Sequence, residues 1–211
     1  MAEMIYSLII TVLVGYFLGN INGAVCMSQL VAHEDVRSHG SGNAGLTNFV
    51  RNYGAGKSVA VIAIDGGKAA LACLAGGLLM APHGMYEEGL AIGGAALMLG
   101  HDFPALLGFK GGKGIMSGCL IAFINDWRIG AIGLGLFLIV YLISGYVSLG
   151  SLVGATAFGV GFAVFCWDTP VAAACGVLMG ALAIFMHRAN ISRLIKGEEK
   201  KTNLFKKGSK K

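Results

Sequence analysis

The sequence predicts an all-α, polytopic integral membrane protein with seven transmembrane helices, its N-terminus outside and its C-terminus in the cytoplasm. Three observations predict it. The 211 residues are 55% hydrophobic and only 13% charged, with a mean hydropathy of +0.72, which is about half the charge of a soluble domain. The apolar residues gather in runs near the ~20 residues that a helix needs to cross a bilayer. Finally, 14 of the 16 lysines and arginines fall in every second connection between those runs or in the tail, the bias that keeps basic loops in the cytoplasm.

The runs cover 4–32, 58–81, 89–107, 115–124, 129–147, 149–166 and 170–186. The first has Glu3 as its only nearby charge and outruns a signal-peptide core, so it reads as a retained helix. The second carries Asp65 and Lys68 one turn apart. Each costs roughly 2.5 to 3.5 kcal/mol at mid-membrane, so the two are expected to pair and face protein, with direct substrate contact as the alternative. The fourth run is short and is the weak link. If it is half-inserted or re-entrant rather than spanning, the tail falls on the opposite side from the loop of Lys110 and Lys113.

The basic connections carry Arg37, Arg51 and Lys57, then Lys110 and Lys113, then the stretch from Arg188 to Lys211, whereas Glu87, Glu88, Asp126 with Arg128, and Asp168 occupy the others. Residues 1–211 read as a single membrane-embedded domain, with a mobile Lys-rich surface tail over about 200–211. The net charge of +5 lies at the ends of apolar runs without interleaved aromatics, which suits a lipid surface and not nucleic acid. Cys26, Cys73, Cys119, Cys166 and Cys175 show no paired or ligand spacing and read as small core residues.

Three polar clusters fall on the basic side. The first runs from His39 to Arg51, and its Gly40, Gly42 and Gly45 fit GxGxxG with Asp65 twenty residues on. No strand precedes these glycines and Asp65 lies in an apolar helix, so a dinucleotide fold is excluded. What remains is a Gly-rich segment that frees backbone N–H groups beside hydroxyls and Arg51, suited to an anion. Gly56-Lys57-Ser58 lacks the first glycine of a nucleotide-binding P-loop, because position 51 is Arg51. The second cluster is Gly100-His101-Asp102-Phe103-Pro104 and Phe109-Lys110-Gly111-Gly112-Lys113-Gly114; glycines and two lysines at a helix start suggest a phosphate cradle. The third places His187, Asn190 and Arg193 on one helix face, with Gly197, Glu198 and Glu199 following.

At these residues the chain resembles the PlsY family of bacterial acyl-phosphate-dependent glycerol-3-phosphate acyltransferases, over almost its whole length. Its signatures look like Ser41-Gly42-Asn43 through Thr47-Asn48 to Arg51; Gly100-His101, Pro104 and Phe109 to Gly114; and His187, Asn190, Arg193, Gly197 and Glu199. Asn20, and Ile115-Met116-Ser117, depart modestly from the family pattern. The resemblance implies seven helices, an outside N-terminus and a cytoplasmic site in a bacterial cell membrane. It also implies transfer of a fatty acyl group from acyl phosphate to the 1-hydroxyl of glycerol 3-phosphate, giving lysophosphatidate and inorganic phosphate.

On that reading Ser41, Thr47, Asn48, Arg51, Lys113, His187 and Asn190 are the expected catalytic residues. Gly42, Asn43, Gly45, His101, Lys110, Gly111, Gly112, Gly114, Arg193 and Glu199 are the expected substrate-binding residues. No cofactor or metal is expected, because acyl phosphate carries its own leaving group, and an acyl-phosphate-producing partner enzyme is implied. The residues five beyond each histidine are Ser38, Ala44, Glu88, Leu106 and Ser192, so the His-Asp dyad of another acyltransferase class is missing. The resemblance implies instead that a substrate phosphate takes the hydroxyl proton, with His101 or His187 as alternative bases. A carrier of phosphorylated solutes would be expected to show repeated halves, and a metal-dependent phosphotransferase several aspartates on one face; neither is found.

Overall fold

The computed structural model describes residues 1–202, and these form α-helices and short 3₁₀ turns without a strand. The α-helices are α1 (Ala2–Asn20), α2 (Gly23–Ala32), α3 (Leu46–Tyr53), α4 (Ala55–Met80), α5 (Tyr86–Asp102), α6 (Ile115–Asn125), α7 (Trp127–Ser144), α8 (Val147–Phe165), α9 (Pro170–Met186) and α10 (Arg188–Ile195). Their starts and stops follow local chemistry. Asn22 caps α2 by accepting from Val25 N at 3.0 Å, Asp126 caps α7 by accepting from Arg128 N at 2.8 Å, and Pro170 occupies the first turn of α9.

Each predicted run becomes helical, with the first divided between α1 and α2 and the third leaving α5 at Asp102, but the count of seven spans does not follow from length alone. Five stretches are long and apolar enough to cross a membrane: Ala2–Ala32, Ala55–His83, Tyr86–Leu107, Trp127–Ser144 and Val147–Phe165. A sixth arises if α9 and α10, bent by 52°, form one span. Helix α6 has 11 residues and therefore rises ~17 Å, about half of a hydrocarbon core. Large apolar side chains such as Ile9, Leu13, Leu71, Leu142 and Leu178 cover the outside of the bundle, as lipid contact requires.

In lipid, apolar side chains gain little by meeting each other, so helix contact depends on close backbone approach. Glycine supplies it here. A Cβ at Gly19 would lie 2.3 Å from Leu97 O, and one at Gly100 would lie 2.0 Å from Tyr16 O, so α1 and α5 touch along their backbones. Gly76 and Gly89 do the same between α4 and α5. The core beyond them joins Leu97, Met98, Ile121, Ile129 and Phe162 from α5 to α8. Of the five cysteines expected inside, Cys73 and Cys166 are buried while Cys26 is exposed on α2.

The first apolar run is broken at Ile21-Asn22, and the break explains the charges in α4. A broken helix leaves carbonyls and amides unpaired in an apolar setting. Lys68 Nζ reaches Ile21 O at 2.5 Å and Gly19 O at 3.3 Å, Asp65 Oδ1 accepts from Gly23 N at 3.1 Å, and the two side chains pair at 2.9 Å. Both are almost fully buried, in agreement with the expected structural pair. Asn20 and Asn22 extend the junction: Asn20 Oδ1 accepts from Leu106 N at 3.0 Å, and Asn22 donates to Ala44 O at 2.9 Å. The break thereby holds the two loops that carry the first two polar clusters. The expected Lys-rich tail falls outside the described residues from 203 onward; at its start Lys200 and Lys201 are exposed, while Thr202 is buried and its backbone N donates to Gly145 O at 3.1 Å in the α7–α8 turn.

Candidate functional site

The three clusters come from distant parts of the chain, and two devices bring them to one place. In the first loop Asn48, 2% exposed, turns back from α3 into the loop. Its amide donates to Val36 O and His39 O at 3.0 Å and to Asn43 O at 3.1 Å, while its oxygen accepts from Ser41 N at 3.0 Å. Gly40 is needed twice: its φ is +61°, and a Cβ there would lie 2.3 Å from Asn48 Oδ1. The second device is Arg37. Paired with Asp35 at 2.7 Å, it donates to Leu107 O at 2.8 Å and Lys110 O at 3.0 Å, tying the first loop to the second.

The second loop folds back on the end of α5. Gly111 N donates to Asp102 O at 3.2 Å and Gly112 N to His101 O at 3.0 Å, so these two amides of the expected phosphate cradle are engaged within the loop. Their glycines answer to crowding, since a Cβ at Gly112 would lie 2.1 Å from His101 Nε2. Gly114, at φ +68° beside Met98, starts α6. No side chain caps the first turns of α3 or α6 among the described residues, so the helix starts present N–H groups.

Lys113 then reaches the third cluster. Its ammonium donates to Asn190 Oδ1. Asn190 donates to Glu199 Oε1 at 2.8 Å, and Arg193 Nε donates to Glu199 Oε2 at 2.6 Å. Arg51, at the last turn of α3, lies within electrostatic reach of both Arg193 and Glu199. Burial pushes the Lys113 ammonium down to about 8, helped by Arg193 and Arg51 and opposed by Glu199. Burial also lowers Arg51, against Glu199 and with Arg193. Burial works against the charge of Glu199, yet its hydrogen bonds with Arg193 and Asn190 hold its carboxyl below the ordinary value. Among the described residues three cations thus gather at the Glu199 carboxylate, with Asp102 also within electrostatic reach of Lys113, an arrangement that attracts a further anion. His187 sits at the bend between α9 and α10, where its Nδ1 donates to Ala183 O at 2.7 Å, leaving the lone pair on Nε2. It lies within electrostatic reach of Lys113 and Glu199.

The sequence profile of the glycerol-3-phosphate acyltransferase family matches residues 9–197. Among curated proteins, a glycerol-3-phosphate acyltransferase of Thermoanaerobacter sp. strain X514 is 36% identical over 92% of this chain and 94% of its own. One of Finegoldia magna is 38% identical over 92% and 96%. A crystal structure of PlsY, an integral membrane glycerol 3-phosphate acyltransferase in its glycerol 3-phosphate form, superposes with a TM-score of 0.83 at 30% identity, covering 95% of this chain and all of that one. A second, in the lysophosphatidic acid form, gives 0.80 at 29%. The chain belongs to the glycerol-3-phosphate acyltransferase family.

The enzyme gathers Arg51, Lys113, His187, Asn190, Arg193 and Glu199, six of the residues picked out from sequence. Others lie elsewhere. Lys110 is exposed, and its ammonium makes no hydrogen bond or ion pair among the described residues; only its carbonyl is engaged, by Arg37. His101 is buried, and its Nδ1 faces Lys68 Nζ at 2.7 Å, so the lone pair a base would need already accepts from an ammonium. Asn48 is spent on loop structure. Gly42, Asn43 and Gly45 shape the same loop, with Gly42 N bonded to His39 O at 3.1 Å and Gly45 opening α3. Ser41 is exposed and Thr47 half-buried on that loop and the first turn of α3. Residues that sequence reasoning missed include Arg37 and Thr202; Asp35-Val36-Arg37 was a local signal for the first, while nothing near Thr202 marked it.

Proposed function

We propose that the enzyme transfers a fatty acyl group from acyl phosphate to the 1-hydroxyl of glycerol 3-phosphate. The observation that carries this reading is the convergence of Arg51, Lys113 and Arg193 around Asn190 and Glu199. Both substrates are phosphorylated, and Glu199 does not by itself neutralise three cations. Lys113 and the start of α6 serve one phosphate; Arg51 and Arg193, with Asn190 and His187, serve the other. That the solved relative PlsY takes a glycerol 3-phosphate form in one structure and a lysophosphatidic acid form in a second supports the acceptor and product.

In the proposed step the 1-hydroxyl oxygen bonds to the acyl carbonyl carbon, the bond from that carbon to the phosphate oxygen breaks, and the hydroxyl proton ends on the departing phosphate. The charge that grows on the carbonyl oxygen and the leaving phosphate is met by cations held in place before the reaction. Ser41 and Thr47 orient substrate oxygens, and Asn48 positions Arg51 by holding the loop. Glu199 orders Asn190 and Arg193. A substrate phosphate is the base; His187, with its free Nε2, is the side chain that would replace it.

We further assign seven spans, with α6 as a short crossing and α9–α10 as one bent span, an outside N-terminus and a site on the cytoplasmic face of a bacterial membrane. Basic loops at every second connection support this. The test is purified enzyme in detergent or lipid, given glycerol 3-phosphate with acyl phosphate or acyl-CoA and no divalent metal, with lysophosphatidate and phosphate followed and Arg51→Ala as control. Product from acyl phosphate is expected. Product from acyl-CoA alone would overturn the donor.

A further inference from the structure

We infer that Thr202 is a positioning residue of the acyltransferase site, which fixes the Arg51 guanidinium for phosphate without neutralising it; the inference rests on the proposed function. Arg51 Nε donates to Thr202 Oγ1 at 2.9 Å, and Nη2 donates to the same oxygen and to Lys200 O at 3.4 Å. One hydroxyl therefore holds one edge of the guanidinium, while Nη1 makes no such bond among the described residues.

The hydroxyl is itself fixed from a separate direction. Thr202 N donates to Gly145 O at 3.1 Å, Tyr141 Oη donates to Thr202 O at 2.9 Å, and the Lys201 ammonium lies 5.4 Å over the Tyr146 ring. Three residues earlier, Glu199 is bound by Asn190 and Arg193. The segment is thus clamped to the α7–α8 turn and to α10, and Thr202 is only 8% exposed. Because these anchors do not involve Arg51, the hydroxyl stays in place whether or not Arg51 moves, which is what a positioning group requires.

The choice of residue type matters. A carboxylate at this position would orient the guanidinium equally well but cancel the charge that a phosphate seeks. A hydroxyl accepts two N–H bonds and leaves that charge intact. Long arginine side chains lose rotamer freedom on binding, and holding Arg51 beforehand removes that cost from the substrate step. The family profile ends at residue 197, so Thr202 lies beyond the part of the chain that the profile describes.

The experiment compares wild type, Thr202→Val, Thr202→Ser, Arg51→Lys and the Arg51→Lys/Thr202→Val double variant. Steady-state kinetics on both substrates are measured alongside calorimetric binding of glycerol 3-phosphate and of inorganic phosphate. Thr202→Val is expected to raise the KM of the substrate that Arg51 serves by about tenfold, the scale of a hydrogen bond to a charged group, with kcat within about twofold. Thr202→Ser restores it, and Thr202→Val adds little on the Arg51→Lys background. An unchanged or lowered KM, or a Ser variant as impaired as Val, overturns the inference. If Val does not fold, the Ser variant and the calorimetry on it decide, since near-wild-type phosphate binding is required there. Failure of wild type to turn over either donor would count against the proposed reaction, while phosphate binding would still report on Thr202.

Discussion

Lys68→Met should be among the most damaging single substitutions outside the active site, because of what it leaves behind and not because of volume lost. The ammonium pairs with Asp65 at 2.9 Å and donates to Ile21 O, Gly19 O and His101 Nδ1. Removing one member of a buried pair costs about 3 to 5 kcal/mol, and each carbonyl left without a donor adds about 1 kcal/mol. A loss of roughly 5 to 7 kcal/mol follows, comparable to the whole stability of many proteins. Asp65→Asn should cost less, because Lys68 keeps both carbonyls of the broken helix, and the Asp65→Asn/Lys68→Met double variant should recover much of the loss. Thermal unfolding in detergent can be followed by the reaction of buried Cys73 with a thiol dye. At about 2 to 4 °C per kcal/mol for a chain of this size, Lys68→Met should melt roughly 10 to 28 °C below wild type. If Lys68→Met melts with wild type, or if Asp65→Asn is the worse of the two, the account of the broken helix is wrong. Loss of activity without loss of melting temperature would instead favour direct substrate contact by the pair.

Three further outcomes are expected. In Asn48→Ala the first loop loses the side chain that joins Val36, His39, Ser41 and Asn43, so kcat/KM should fall at least tenfold and the Ser41 amide should exchange faster by hydrogen exchange, whereas unchanged exchange would deny the loop-holding role. Because burial lowers Lys113 to about 8, the ammonium is charged below that pH and neutral above it; kcat/KM should decline as pH rises through about 8, and Lys113→Arg should move that limb upward, a result that a pH profile insensitive to the substitution would contradict. Gly100→Ala puts a methyl 2.0 Å from Tyr16 O, a backbone atom that cannot swing aside, so a loss of about 1 to 3 kcal/mol should appear as a lower melting temperature; a neutral result would mean that α1 and α5 slide apart freely.

The apolar runs, their order and the pairing of Asp65 with Lys68 were legible in the sequence, because hydropathy and i, i+3 spacing are local properties that survive any tertiary arrangement. So were the residues of the site's third cluster, since His187, Asn190 and Arg193 share a face by helical spacing alone. The number of crossings was less legible: α6 is too short to be judged by composition, and the bend at His187 depends on what the two half-helices pack against. The glycines around position 111 read as free anion donors, yet their amides bond to the end of α5, a pairing set by how the loop folds back. His101 looked available as a base until Lys68, thirty-three residues earlier, was seen to occupy its lone pair. Thr202 carried no sequence signal, because its relation to Arg51 spans 151 residues. The sequence by itself determined which segments leave water and which residue types gather at their ends, because transfer free energy is additive along the chain. Only the tertiary structure decided which donors stay free for a substrate, because each hydrogen-bonding group can be spent once and its partner is chosen by the packing of distant segments.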